Sequence, residues 1–113
     1  MNRRNRLRRA ADIARVRSHG AKAVTPSLVL FATPGGAEAS RVAVPVSKRF
    51  GSAVRRNRLR RRVREALRRQ ISDLPGALDV VALPQVRAVD AASGELAAAV
   101  RRGLRQSQAR LAE

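Results

Sequence analysis

Nine arginines fall in the fifteen residues from Arg55 to Arg69, with Glu65 the sole acid among them. A guanidinium grips phosphate bidentately, stacks on planar rings and keeps its charge, so this concentration is chemistry aimed at a polyanion. At about 100° per residue on a helix, Leu59, Val63, Ala66 and Leu67 form one apolar stripe. Asn57, Arg61, Arg64 and Arg68 lie opposite, and Arg58 flanks that outward strip. A merely solvated helix face mixes signs to gain pairs one turn apart, whereas here only Glu65 can pair, with Arg61, Arg68 or Arg69. The outward row suits the repeating charge of a sugar–phosphate backbone.

Hydrolytic chemistry is harder to find. Two-metal nucleases need clustered carboxylates, yet Asp12, Glu38, Glu65, Asp73, Asp79, Asp90, Glu95 and Glu113 are scattered. His19 is the only histidine and there is no cysteine, which excludes a thiolate metal site, a cysteine nucleophile and a pair of histidines for acid–base work. Beside Gly20 at a helix end, His19 suits a structural role on the last carbonyls.

The elements that must position the arginines can be read around them. The chain has 113 residues, a formal net charge of +17 and 44% hydrophobic residues, enough for one small core in a single domain. No apolar run approaches the roughly 20 residues of a membrane span, and the opening is arginine-rich where a secretory segment would be apolar. The expectation is a soluble cytoplasmic protein whose partner is nucleic acid rather than a membrane. Residues 1–9 carry five arginines and no acid, and are expected to trail as a mobile arm ahead of a domain at 10–113.

Ala10 to Ser18 is predicted as a short helix stopped by Gly20. Runs at Ser27–Ala32 and Arg41–Ser47, separated by Pro34-Gly35-Gly36, read as an antiparallel hairpin, with Pro45 marking its strand as an edge or irregular. The arginine helix spans about Ser52 to Gln70, with Ser52 as N-cap, and ends before Pro75-Gly76. A strand at Ala77–Leu83 follows, then a closing helix that buries Leu96, Val100 and Leu104 with Ala99 and Gly103 alongside. Strands flanked by helices give an α+β sandwich.

The run Val46-Ser47-Lys48-Arg49-Phe50-Gly51-Ser52-Ala53-Val54-Arg55-Arg56-Asn57-Arg58-Leu59-Arg60-Arg61-Arg62-Val63-Arg64-Glu65-Ala66-Leu67 resembles the signature of the bacterial ribonuclease P protein subunit, with Arg56-Asn57-Arg58 as that family's RNR core. A bare Arg-Asn-Arg is weak, since Arg4-Asn5-Arg6 repeats it, but the extended run is specific. The resemblance covers about Asn5 to Gln106. It implies αβββαβα order with a mixed four-stranded sheet, an extra strand near Ala21–Val24, and a left-handed crossover through the arginine helix, against the general rule.

The resemblance also implies a function. The family's catalytic RNA, using Mg2+, removes the 5′ leader from precursor tRNA, and the protein binds that RNA and the leader. Arg55, Arg56, Asn57, Arg58, Arg60, Arg61, Arg64 and Arg68 would then face the RNA subunit. Ile13, Arg17, Phe31 and Lys48 would line the leader cleft between first helix and sheet, and His19 would stand near it. Many members carry aromatics at the positions of Ile13 and Arg17, so leader contacts here would lean on charge and on guanidinium stacking. The protein would have no catalytic site of its own and would act as a monomer. Composition alone leaves a ribosomal or nucleoid binding protein in competition, and an autonomous nuclease would need a site assembled from distant acids.

Overall fold

A serine cap, a glycine turn and an apolar stripe fix the central helix. In the computed structural model, which describes residues 3–36, 38–72, 74 and 76–112, α2 runs Ala53–Ile71. The Ser52 hydroxyl accepts from the Arg55 amide at 3.3 Å. Gly51 takes φ +109°, a left-handed backbone that a side chain would strain. Leu59, Val63, Ala66 and Leu67 are buried as the spacing predicts, joined by Ile71. Asp73, Pro75 and Glu113, which figured among the scattered acids and the helix stop, lie outside the described residues, as do Met1, Asn2 and Ala37.

The remaining elements are α1 (Ala10–His19), β1 (Ala21–Val24), β2 (Leu28–Pro34), β3 (Arg41–Ala43), β4 (Leu78–Pro84) and α3 (Ser93–Leu111), giving the αβββαβα order. Short 3₁₀ turns stand at Arg3–Asn5, Lys48–Phe50 and Val86–Val89. The sheet order is β1-β2-β4-β3, with β3 and β4 parallel and the other pairs antiparallel.

That order corrects the hairpin. β2 pairs along its whole length with β4, and β3 lies on the far side of β4. The physical reason is burial: every residue from Leu78 to Ala82 is buried, so this strand needs cover on both faces and neighbours on both edges. β3 is also shorter than the expected Arg41–Ser47, ending two residues before Pro45, which cannot donate to a ladder. It is an edge strand, as the proline implied.

Alternation along β2 and β4 divides the core. Leu28, Leu30, Ala32, Leu78, Val80 and Ala82 point to α2 and α3 and meet Leu59, Val63, Leu67, Leu96, Val100 and Leu104. Phe31, Val81 and Leu83 point to the opposite face, where Ile13 and Val16 of α1 pack with Leu7 and Ala43. Gly103 lets α3 approach β2: a Cβ there would overlap Leu30 Cδ1 and stand 3.2 Å from its Cγ.

The opening segment was expected to be too charged to pack, and from Asn5 to Leu7 it is not. Arg6 bridges to Val42, the Leu7 amide donates to the Val42 carbonyl at 2.7 Å, and the Leu7 side chain is buried. Asn5 Nδ2 donates to the Ser40 carbonyl at 2.8 Å. The segment thereby covers the β3 edge, anchored by these hydrogen bonds and by one apolar side chain among the arginines.

Candidate nucleic-acid interface

The arginines of α2 divide by direction into three groups that the sequence shows only in part. On the flank toward β3, Arg56, Arg60 and Arg64 are partly buried. Arg60 Nε donates to the Val44 carbonyl at 3.2 Å, an acceptor left free where β3 stops short of Pro45, and its Nη1 donates to Asn57 Oδ1 at 2.6 Å. Arg6, delivered by the N-terminal segment, joins Asn57, Arg60, Arg61 and Arg64 around a cavity of about 360 Å³ with Glu65 at its margin.

Four arginines outnumber the single acid around this cavity. Burial pushes the Arg64 guanidinium below the usual arginine range, and the positive charges of Arg6 and Arg60 push it the same way. The Nε atoms of Arg56 and Arg64 are buried and have no hydrogen-bond partner among the described residues.

The outward strip is Asn57, Arg58, Arg61 and Arg68, all exposed, with Arg55 exposed near the helix start. Glu65 engages Arg68 by a 2.6 Å ion pair and Arg69 at 3.5 Å, and does not pair with Arg61. The Arg68 hydrogen bond holds the Glu65 carboxyl below its ordinary value. Pairs this exposed are weak and easily exchanged for another anion.

On the flank toward α3, Arg62 serves the fold. Its Nη1 donates to the carbonyls of Ala88 and Val89 at 3.3 and 3.2 Å, and its Nη2 donates to that of Ala91, tying the last 3₁₀ turn to the helix. Two positions separate Arg62 from Arg64, about 200° around the axis, which is why neighbouring arginines do different things.

On the other sheet face, Ile13 and Phe31 come together beside Leu83, both partly exposed. Arg17 is exposed one turn along α1 from Ile13. Lys48 is exposed in the turn leading to α2, and no hydrogen bond or ion pair ties it to α1 or β2 among the described residues. Lys22, opposite Phe31 in the β1–β2 register, places its ammonium 5.9 Å from the Phe31 ring centroid. Sequence reasoning did not single out Lys22 or Arg6. The signal for Lys22 was its place in the short strand that only the family resemblance indicated, and for Arg6 it was the adjacent Leu7.

Asp79 is a third residue that sequence reasoning did not single out. Wholly buried on β4, it accepts from Arg41 Nε at 3.0 Å and Nη2 at 2.8 Å, and from Arg15 Nη2 at 2.8 Å. Arg15 Nη1 also reaches Thr33 Oγ1 at 3.3 Å, so the cluster pins α1 to the sheet. Burial alone pushes the Asp79 carboxyl up, and the hydrogen bonds and charges of Arg41 and Arg15 outweigh it, leaving the carboxyl below its usual value. Glu95 pairs with Arg87, and His19 Nδ1 stands 3.3 Å from the Arg15 carbonyl at the end of α1. Among the described residues no three histidine or carboxylate side chains come together as metal ligands, and no helix is long and apolar enough to cross a membrane.

A mixed sheet with two helices on one face and one on the other, carrying an arginine helix that lines a basic cavity, defines the class: a small α+β protein with a strongly basic face. The ribonuclease P family model matches residues 1–108, and the chain belongs to that family, the protein component of a tRNA-processing ribonuclease. It is 39% identical over 108 residues to the ribonuclease P protein component of Chloroflexus aggregans, covering 95% of this chain and 80% of that one. The RNase P protein from Thermotoga maritima superposes with a TM-score of 0.69 at 26% identity, over 94% of this chain and 93% of that chain. The Staphylococcus aureus RNase P protein gives 0.77 at 22% identity, covering 89% and 93%, a likeness that concerns the fold alone.

Proposed function

We propose that this chain binds the RNA subunit of ribonuclease P through α2 and Arg6, and holds the 5′ leader of precursor tRNA across the Ile13–Phe31 surface with help from Arg17 and Lys22. The observation that carries the reading is the cavity where Arg6, Asn57, Arg60, Arg61 and Arg64 converge, with the Arg64 Nε buried and unpartnered. A backbone phosphate there would accept from the guanidiniums that line the cavity and offset both the burial and the like charges that lower Arg64. Arg55, Arg56, Arg58 and Arg68 extend the contact along the helix.

Chemistry then rests with the RNA. Among the described residues the acids are occupied in ion pairs or stand apart, which favours Mg2+ being held by the RNA and the protein acting by neutralisation and positioning. The reading places the protein in the cytoplasm as a monomer within the ribonucleoprotein.

Binding of ribonuclease P RNA as a function of salt tests it. Arg61→Ala with Arg64→Ala is expected to weaken binding and to flatten the log–log salt slope by roughly 0.7–0.9 per lost phosphate contact. Unchanged affinity and slope would place the interface elsewhere.

A further inference from the structure

A second cavity, of about 280 Å³, opens on the other flank of α2, between the start of that helix and the last 3₁₀ turn. Phe50, Arg55, Arg58, Arg62, Val89 and Asp90 line it, with Leu59 at its base. We propose that this cavity is a nucleobase pocket that takes an unpaired guanine from the RNA bound along the helix. The proposal rests on the RNA-binding reading and adds a base-reading site to it.

Chemistry of the walls supports a base rather than a second phosphate. Phe50 is one of only two aromatic residues in the chain and is half-buried here, with the Arg49 guanidinium 5.1 Å from its ring centroid. Val89 is 49% exposed although apolar, so the cavity has an uncovered apolar wall that a flat ring would cover. The size is just below the range of about 300–1,000 Å³ typical of drug-sized ligands, which suits one base with its sugar and phosphate outside.

Asp90 decides which base. Asp90 lines the cavity together with three arginines, yet no cation comes within 4.0 Å of its carboxylate among the described residues, so both oxygens can accept. Guanine alone among the RNA bases presents two adjacent N–H donors, N1–H and the N2 amino group, along one edge, and a carboxylate receives such a pair in parallel. The position of Asp90 is fixed rather than loose, because Arg62 bonds to the carbonyls of Ala88, Val89 and Ala91 on either side of it. Arg55 and Arg58, exposed at the rim, are placed for the phosphates flanking the base.

The experiment measures binding of the full chain to short oligouridines, by fluorescence anisotropy at one fixed salt concentration, with a single central guanosine, inosine, adenosine or uridine. The guanosine oligomer is expected to bind about fivefold or more tightly than the inosine one, which lacks the N2 amino donor. Asp90→Asn is expected to abolish that preference while leaving oligouridine affinity equal or higher, since it removes a negative charge from a basic surface. Asp90 is exposed and its side chain makes no hydrogen bond or ion pair among the described residues, and circular dichroism checks the fold of the variant. Equal affinity of the wild-type protein for all four oligomers, or a guanosine preference that survives Asp90→Asn, would overturn the pocket while leaving RNA binding intact. Failure to bind any oligomer, together with failure to bind ribonuclease P RNA, would overturn the RNA-binding reading itself.

Discussion

Asp79→Asn is the substitution that most sharply separates the clamp from the surrounding surface charge. The wild-type carboxylate is wholly buried and receives three hydrogen bonds from two guanidiniums. Asparagine keeps the shape but offers one acceptor oxygen and turns an amide toward a cation. Breaking one side of a buried charged pair costs about 3–5 kcal/mol. Here Arg15 and Arg41 are 42% and 25% exposed, so water re-solvates the released guanidiniums and the expected loss falls to about 2–3 kcal/mol. For a domain of this size that lowers the melting temperature by on the order of 10 °C.

The assay is urea or thermal unfolding followed by circular dichroism at neutral and acid pH. Because the folded-state pKa of Asp79 is depressed, its contribution is complete above the unfolded value of about 4 and disappears as pH falls through the lower folded value. The gap between wild type and Asp79→Asn is therefore wide at neutral pH and closes in acid. A gap below about 0.5 kcal/mol at neutral pH, the scale of an ordinary surface substitution, would refute the clamp. So would a gap that does not narrow in acid.

Three other outcomes follow from the packing. Gly103→Ala places a methyl against buried Leu30 and is expected to destabilise by about 1–3 kcal/mol in the same unfolding assay. Arg62→Ala leaves the carbonyls of Ala88, Val89 and Ala91 without their donor, and is expected to cost about 1–3 kcal/mol of stability while leaving the salt slope of RNA binding unchanged. Phe31→Ala is expected to raise the Kd for precursor tRNA but not for mature tRNA in filter binding of the assembled complex; equal losses for both would remove Phe31 from the leader surface.

Local periodicity carried most of the architecture. The stripe through Leu59, Val63, Ala66 and Leu67 and the repeat Leu96, Val100, Leu104 are buried as their spacing requires, because a helix satisfies its own backbone and needs only one apolar face. Strand pairing was less legible. Pro34-Gly35-Gly36 marks a genuine break between β2 and β3, but a turn signal does not say which strand lies alongside, and the buried run Leu78–Ala82 was the clue that β4 belongs between them. β1 has four residues, too few to show alternation, and its place comes from pairing with Val29–Ala32.

The candidate site was legible in kind and incomplete in membership. Arginine density marked the candidate surface, and residue type alone could not separate Arg62, which holds a turn, from Arg64, which faces the basic cavity. Asp79 looked like one more dispersed acid because Arg15 and Arg41 reach it across 64 and 38 residues of sequence. Arg6 was assigned to a mobile arm because the anchoring role of Leu7 depends on β3 being an edge.

The central claim is that this chain assists an RNA catalyst and does not cleave by itself. Its most direct test is 5′-leader cleavage of precursor tRNA at low magnesium by a bacterial ribonuclease P RNA alone, by this protein alone and by the two together. Cleavage is expected to be absent or slow with either component and much faster with both. Protein-only cleavage that survives repurification, or tight RNA binding with no stimulation, would contradict it.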